Sequence, residues 1–419
     1  MNTFHSRVLT MLAAVFLAAS AQAENKNVDV LHFYTSGSES GAVSTIKSAV
    51  EKQGFIWEDI PVAGGGGEAA WTALRARASA GDPPTSAVFL GYVIRDYAQA
   101  GMLGDLNSVA TAENWDAVVP EPIKKFAKYD GRWVAAPINV HSVNWVWINR
   151  AVLDKIGGKE PQTFDDLLAL LEKAKAHGVT PLALGGQDWQ EAILFDAVVA
   201  STAGPDFYRR ALNDLDDKAL RSDEMKRSFD NLRKLLKYTD GNFTGRDWGV
   251  ATAMVMNGEA LMQTMGEWAK GEFKAAGKVP GKDYLCERFP GTDGTVMYHS
   301  DMFGMFKVSA DRQDGQDALA KAVMSKDVQL AFNSIKGSVP ARIDVNVDSF
   351  DACGQKAMSD FKKASEANTL VGAMSENYGG PPAVTGIYKE VVTQFVHGQI
   401  TSSEEAVQRL ADGIRDAQQ

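Results

Sequence analysis

Apolar residues recur along this chain with two different periods, and the alternation between them sets the fold class. Val28-Asp29-Val30-Leu31-His32-Phe33-Tyr34 is rich in β-formers and ends at the turn residues Thr35-Ser36-Gly37-Ser38, which predicts a strand. Val43, Ile46 and Val50 then repeat at helical spacing on one face. Phe55-Ile56-Trp57 predicts a second short strand. Four glycines, Gly64 to Gly67, precede a helical run marked by Trp71, Leu74 and Ala78, which Asp82-Pro83-Pro84 stops. Ala87-Val88-Phe89-Leu90 predicts a buried strand. Strands alternating with helices indicate βαβ units and a largely parallel sheet, so the class is α/β.

The segment from Trp133 to Asn149 is extended and carries little charge, which predicts a first crossing between two lobes. Thr163 is placed to cap a helix with Asp166 three residues on, and its apolar stripe reads Phe164, Leu167, Leu168 and Leu171. Helical patterns dominate from Gln190 through Met256, with Phe229, Leu232 and Leu236 as one stripe. Gly258 to Trp268 reads as a turn, a short strand, a glycine and then a tryptophan. Val296 to Val308 predicts a strand pair returning to the first lobe. Lys336 to Arg342 is a tight loop after a helix, and helices from Tyr388 onwards close the chain.

The start of the chain changes the picture of where it works. Arg7, the apolar run from Val8 to Ala19 and the small-residue site Ala21-Gln22-Ala23 together read as a secretory leader. The run is shorter than the ~20 residues a membrane-spanning helix needs, and it holds no cysteine for acylation. The expectation is export, cleavage after Ala23 and release as a soluble protein of a non-cytoplasmic compartment. What remains exceeds the ~250–300 residues at which single cores stop growing, hence the two lobes. The net charge of −10 argues against nucleic acid, which demands clustered Lys and Arg. Only Cys286 and Cys353 occur, and in an oxidising compartment such a pair is more often bridged than left as two buried thiols. No His-Glu-x-x-His or Cys-x-x-Cys spacing is present, so neither a metal nor another cofactor is implied.

Candidate chemistry is sparse. Glycines 64 to 67 lack the Lys-Ser/Thr of a phosphate loop and could equally be a plain loop or a backbone surface open to a polar ligand. No G-x-S-x-G elbow occurs, and no carboxylate pair is singled out as catalytic. Of nine tryptophans most belong in the core, but Trp268 follows a strand end and a glycine, where loops carry sites. A sugar is held by an aromatic plate against its apolar face and by a few polar groups around its rim.

Several motifs now combine. Gly258-x-Ala260-x-Met262, Gly266-x-Trp268, Gly337-Ser338-Val339-Pro340-x-Arg342 and the leader resemble extracellular solute-binding proteins of ABC sugar importers. Val62-Ala63-Gly64-Gly65-Gly66-Gly67, Ala112-Glu113-Asn114-Trp115-Asp116, Val143 to Asn149, Gly185 to Gln190 and Gly245-Arg246-Asp247-Trp248 make the chain most like the periplasmic glucose- or mannose-binding members. The resemblance implies a two-lobed periplasmic binding protein fold of type II, with the ligand in the cleft between lobes. One lobe would comprise residues 24–134 and 298–342 and the other 138–294 and 345–419. Hinges would lie near 135–137, 295–297 and 343–344.

It further implies a monomeric, non-catalytic periplasmic receptor that closes on a monosaccharide, glucose-like or a derivative, and delivers it to the permease subunits. The carried-over ligand positions are Phe33, Tyr34 and Glu39 after the first strand, Gly66 and Trp189 from the quoted motifs, and Trp268 as the stacking plate. His299, Asp301, Lys336 and Glu376 complete them. His299 stands where an asparagine is usual, and two departures from the family pattern are serious: Leu90 stands where a lysine is usual and Glu376 where a histidine is. The ligand is then either a common hexose or a relative with an amino group or altered hydroxyls. The rival readings are a secreted carbohydrate-active enzyme using Glu39 or Glu376 with Asp301, and an exported structural protein.

Overall fold

Asn27–His32 is the centre of the first sheet. It pairs in parallel with Ile56–Pro61 on one side and Ser86–Leu90 on the other. Asp301–Met305 then joins Ser86–Leu90 antiparallel, and Ala135–Pro137 closes the row. In this order the connections leave the first strand in opposite directions, and such a switch point opens a crevice at the strands' carboxyl ends. These features come from a computed structural model that describes residues 25–64 and 66–418; the expected cleavage site at Ala23 lies outside them. No helix among the described residues is long and apolar enough to cross a membrane.

The helix Gly37–Glu51 begins at a reciprocal cap. The Ser36 hydroxyl accepts the Glu39 N–H, while the Glu39 carboxylate accepts the N–H groups of Thr35 and Ser36 at 3.0 and 3.1 Å. Its inner face buries Val43, Ile46 and Val50 against the sheet. The helix Glu68–Ser79 buries Trp71 and Leu74 in the same core.

A second sheet, in the order Tyr284–Arg288, Trp145–Asn149, Ala260–Thr264, Thr180–Ala183, organises the other lobe. Thr163 and Asp166 form the expected capping box of Phe164–Ala176. The buried face of that helix is Leu167, Leu170, Leu171 and Ala174, with Phe164 and Leu168 only half-buried. In Asp223–Leu236 the inward residue is likewise Leu235 beside Phe229 and Leu232, and Leu236 sits at the margin. Both faces are turned by about one residue from the sequence reading, because an i, i+3, i+4 pattern fits two adjacent stripes when leucines come in pairs. The long helical stretch resolves into Asp188–Tyr208, Asp217–Leu220, Asp223–Leu236 and Trp248–Met256. The penultimate helix starts at Pro382, well before Tyr388, since proline suits a first turn.

A small third sheet lies between the other two: Val339–Pro340, Asn139–Ser142, Val296–His299 and Leu370–Gly372. The chain passes from Ala135–Pro137 through Asn139–Ser142 into Trp145–Asn149, and returns from Tyr284–Arg288 through Val296–His299 into Asp301–Met305. Two α/β lobes joined by such crossings form a two-lobed binding-protein fold. Cys286 and Cys353 are bridged, with Cα atoms 6.0 Å apart, tying the edge strand Tyr284–Arg288 to the helix Ala352–Glu366. The alternative of two separate buried thiols is thereby excluded.

Candidate functional site

The two lobes and the middle sheet converge on one small cavity, about 370 Å³ with its open mouth included. Phe33 follows the end of the first strand, and Leu90 ends the third. Asp301 is in register with Leu90 on the neighbouring antiparallel strand, so both reach the same rim. The second lobe contributes Trp189 and Trp248 from the first turns of their helices, and Trp268 just beyond Ala260–Thr264. His141 and His299 come from the middle sheet, Lys336 from the end of Lys326–Lys336, and Glu376 from the short turn Met374–Glu376.

Two glycines permit close packing here. Gly66 has φ +53°, and a Cβ on it would stand 2.9 Å from the ring of Trp189, so the glycine loop of one lobe lies directly on a tryptophan of the other. A Cβ on Gly266 would meet the Trp268 ring at 2.1 Å. The indole therefore folds back over its own strand end. It stands edge-on to His141, with ring centres 5.2 Å apart, and 6.0 Å from Trp189.

The polar groups form a connected, buried set. Lys336 Nζ donates to Glu39 Oε1 at 2.8 Å, with both side chains more than nine-tenths buried. Burial opposes the Glu39 charge, but the Lys336 ammonium and the capping N–H groups outweigh it and hold the carboxyl below its ordinary value. Asp301 Oδ2 accepts the Tyr34 hydroxyl and the Asn139 amide, each at 2.8 Å, while burial raises its pKa. His299 is pushed down to about 3 and His141 well below its usual value, by burial first and the Lys336 charge second, so both imidazoles are neutral at pH 7. Behind His141, Glu267 accepts from Ser142 Oγ and Trp145 Nε1 at 2.8 and 2.9 Å.

Every residue expected from the sequence lies on this cavity wall except Tyr34, which sits one layer back and acts through its bond to Asp301. Two wall residues escaped the sequence reading. His141 belongs to the extended crossing segment, where nothing local marked it. Trp248 did have a signal, since it lies in Gly245-Arg246-Asp247-Trp248, and Asp247 caps its helix. Leu90 forms an apolar part of the wall.

Nitrogen and oxygen atoms of His141, His299 and Asp301 lie within 4.8 Å of one another. Asp301 Oδ2 takes two donors and His141 Nε2 is 3.2 Å from the Asn139 amide nitrogen, while Nδ1 of both histidines has no hydrogen-bond partner among the described residues.

Residues 50–329 match the family of bacterial extracellular solute-binding proteins. The chain is 60% identical over 408 residues to a probable sugar-binding periplasmic protein of Mesorhizobium japonicum, an alignment covering 97% of this chain and 98% of the relative. Among solved structures, a chitin oligosaccharide binding protein superposes with a TM-score of 0.81 at 21% identity, covering 94% of this chain and 99% of that one. The bacterial solute receptor AcbH, described as exclusive for β-D-galactopyranose, superposes with a TM-score of 0.78 at 17% identity over 94% of this chain and 99% of its own.

Proposed function

This chain belongs to the bacterial extracellular solute-binding proteins, and on that premise we propose that it captures one monosaccharide, hexose-sized, between its lobes. Its place is the periplasm, where it serves as the sugar receptor of an ABC importer and hands its ligand to the permease unchanged. It is a receptor and not an enzyme. Proteins of this fold are described as taking either a single galactopyranose or a chitin oligosaccharide, so the fold leaves ligand size open. The observation that favours one sugar is the closed cavity itself: Phe33, Trp189, Trp248 and Trp268 surround a small space whose polar corners are Glu39–Lys336, Asp301 with His299, and Glu376. Three hydrogen bonds to charged groups at ~1.5–3 kcal/mol each, with one aromatic stack, could supply the ~8 kcal/mol of micromolar affinity before association costs.

The ligand works by bridging. With lobes at 24–134 plus 298–342 and 138–294 plus 345–419, Phe33, Glu39, Asp301 and Lys336 belong to one and Trp189, Trp268 and Glu376 to the other. A sugar touching both favours the closed arrangement by its differential contacts with that state. Contacts across the proposed margin support the reading of a closed form. Ser38 N and Oγ donate to Glu272 at 3.1 and 2.6 Å, and Lys274 donates to Ser334 at 2.7 Å. Small-angle scattering with and without monosaccharides tests the reading: compaction on adding a hexose supports it. Compaction only with oligosaccharides removes the monosaccharide part, and none with any saccharide removes it entirely.

A further inference from the structure

We infer that the corner formed by Glu376 and Asp301 selects a sugar bearing an ammonium group, an amino sugar; the inference rests on the sugar-receptor reading and adds the ligand's charge to it. Glu376 is 97% buried on the cavity wall, and its Oε1 has no hydrogen-bond partner. It cannot turn out to water easily. The next residue, Asn377, accepts the Tyr92 N–H at 2.8 Å, and a Cβ on Gly91 would meet that same carbonyl oxygen at 2.0 Å. The turn carrying Glu376 is thus clamped to the loop after Leu90.

The charges around it do not balance. Lys389, Asp301, Asp196 and Asp188 are the ionisable groups that act on Glu376. Asp196 is consumed by the hydroxyls of Tyr208 and Tyr388 and the Ser375 N–H. Lys389, the only cation among these, is buried, lies 3.6 Å from the half-exposed Glu68, and its Nζ hydrogen-bonds to neither Glu68 nor Glu376. Asp301 has Oδ1 free of any protein donor among the described residues, its Oδ2 being filled by Tyr34 and Asn139. Lys336 is engaged by Glu39, and the two histidines are neutral. The cavity therefore holds two carboxyl groups with open oxygens to which neither Lys336 nor Lys389 donates a hydrogen bond, although the charge of each acts on one of them. A buried carboxylate is costly when ionised and unpaired, so Glu376 keeps its proton until an incoming ammonium takes that proton's place.

Glu376 holds its proton up to about pH 8, because burial outweighs the opposing charge of Lys389. An ammonium favours the ionised form, so binding drives that proton off into solvent. A neutral hydroxyl sugar instead accepts a hydrogen bond from the protonated acid and releases nothing. Affinity for the cation consequently climbs with pH between 6 and 7.5, by up to roughly tenfold per unit.

Calorimetric titration of the full mature protein with D-glucosamine, D-glucose and N-acetyl-D-glucosamine decides this, run in two buffers of different ionisation enthalpy. The expected result is at least tenfold tighter binding of glucosamine than of either neutral sugar, with close to one proton released per sugar at pH 7. Glu376→Gln should abolish both the preference and the proton release, while circular dichroism and melting confirm that the variant is folded. Glucose or N-acetylglucosamine binding as tightly as glucosamine would overturn the inference and leave the sugar-receptor reading standing. Binding of oligosaccharides alone would overturn it together with the monosaccharide reading.

Discussion

Trp268 is held in place before any ligand arrives, wedged between His141 and Trp189 with its ring over Gly266. Truncating a preorganised aromatic anchor removes contact area that no neighbour replaces. Trp268→Ala is expected to cost ~1–3 kcal/mol of sugar binding, read by calorimetry, and unchanged affinity would take the residue out of the site. Glu376 offers a second test that needs no ligand. Its carboxyl titrates near 8 in the folded protein against an ordinary 4.5. The folded state therefore keeps a proton that the unfolded chain gives up in between, and stability falls as pH rises from about 4.5 to 8. Glu376→Gln has no such proton to lose. Denaturant melts should show the variant gaining on the native protein by roughly 1–3 kcal/mol at pH 8 and by almost nothing at pH 4.5. His299, lowered to about 3, works in the opposite sense: its stabilisation is lost as pH falls below about 6.5.

At the level of elements, Glu39 joins two helices. One carboxylate oxygen closes the cap of Gly37–Glu51; the other takes the Lys336 ammonium at the last position of Lys326–Lys336. An acid at a helix start and a base at a helix end also suit the two dipoles. Lys336→Met leaves Glu39 buried without its partner, and a loss of ~3–5 kcal/mol in urea unfolding is expected. The double change with Glu39→Gln should recover much of it, because glutamine can still cap. This element shows where sequence reading succeeded and where it stopped. Thr163 and Asp166 were legible because both members of that box are polar, three residues apart and directly ahead of a leucine-rich stripe. The same Ser-x-x-Glu spacing stands at Ser36 and Glu39, but the resemblance assigned Glu39 to the ligand, and its capping role went unread. Helix faces were displaced by a residue wherever leucines were paired. His141 was invisible, since burial of a histidine in an extended run depends on what crosses beside it.

Across the whole molecule, local pattern reached the α/β class and the two lobes, while the candidate site came from motifs spread between Phe33 and Glu376. Period and spacing do not say which loops meet; the switch point of one sheet and the middle crossings do. The bridge between Cys286 and Cys353 was legible for a different reason, the redox compartment implied by export. What neither pattern nor motif carried is the set of contacts between segments far apart in the chain. Ser38 donates twice to Glu272, and with the proposed lobe bounds this contact would form only on closure. Apparent affinity scales with the fraction of molecules able to close, so weakening a closed-state contact weakens binding without touching the sugar. Removing hydrogen bonds to a charged group worth ~1.5–3 kcal/mol should lower sugar affinity roughly tenfold or more in Glu272→Ala, mostly through faster release. Sugar-induced compaction should survive in scattering at saturating ligand, and the melting temperature without sugar should stay within a few degrees. Unaltered affinity in this variant would mean that Ser38 and Glu272 meet equally often in the open and closed forms, and closure would then have to be driven by the sugar and the cavity walls alone.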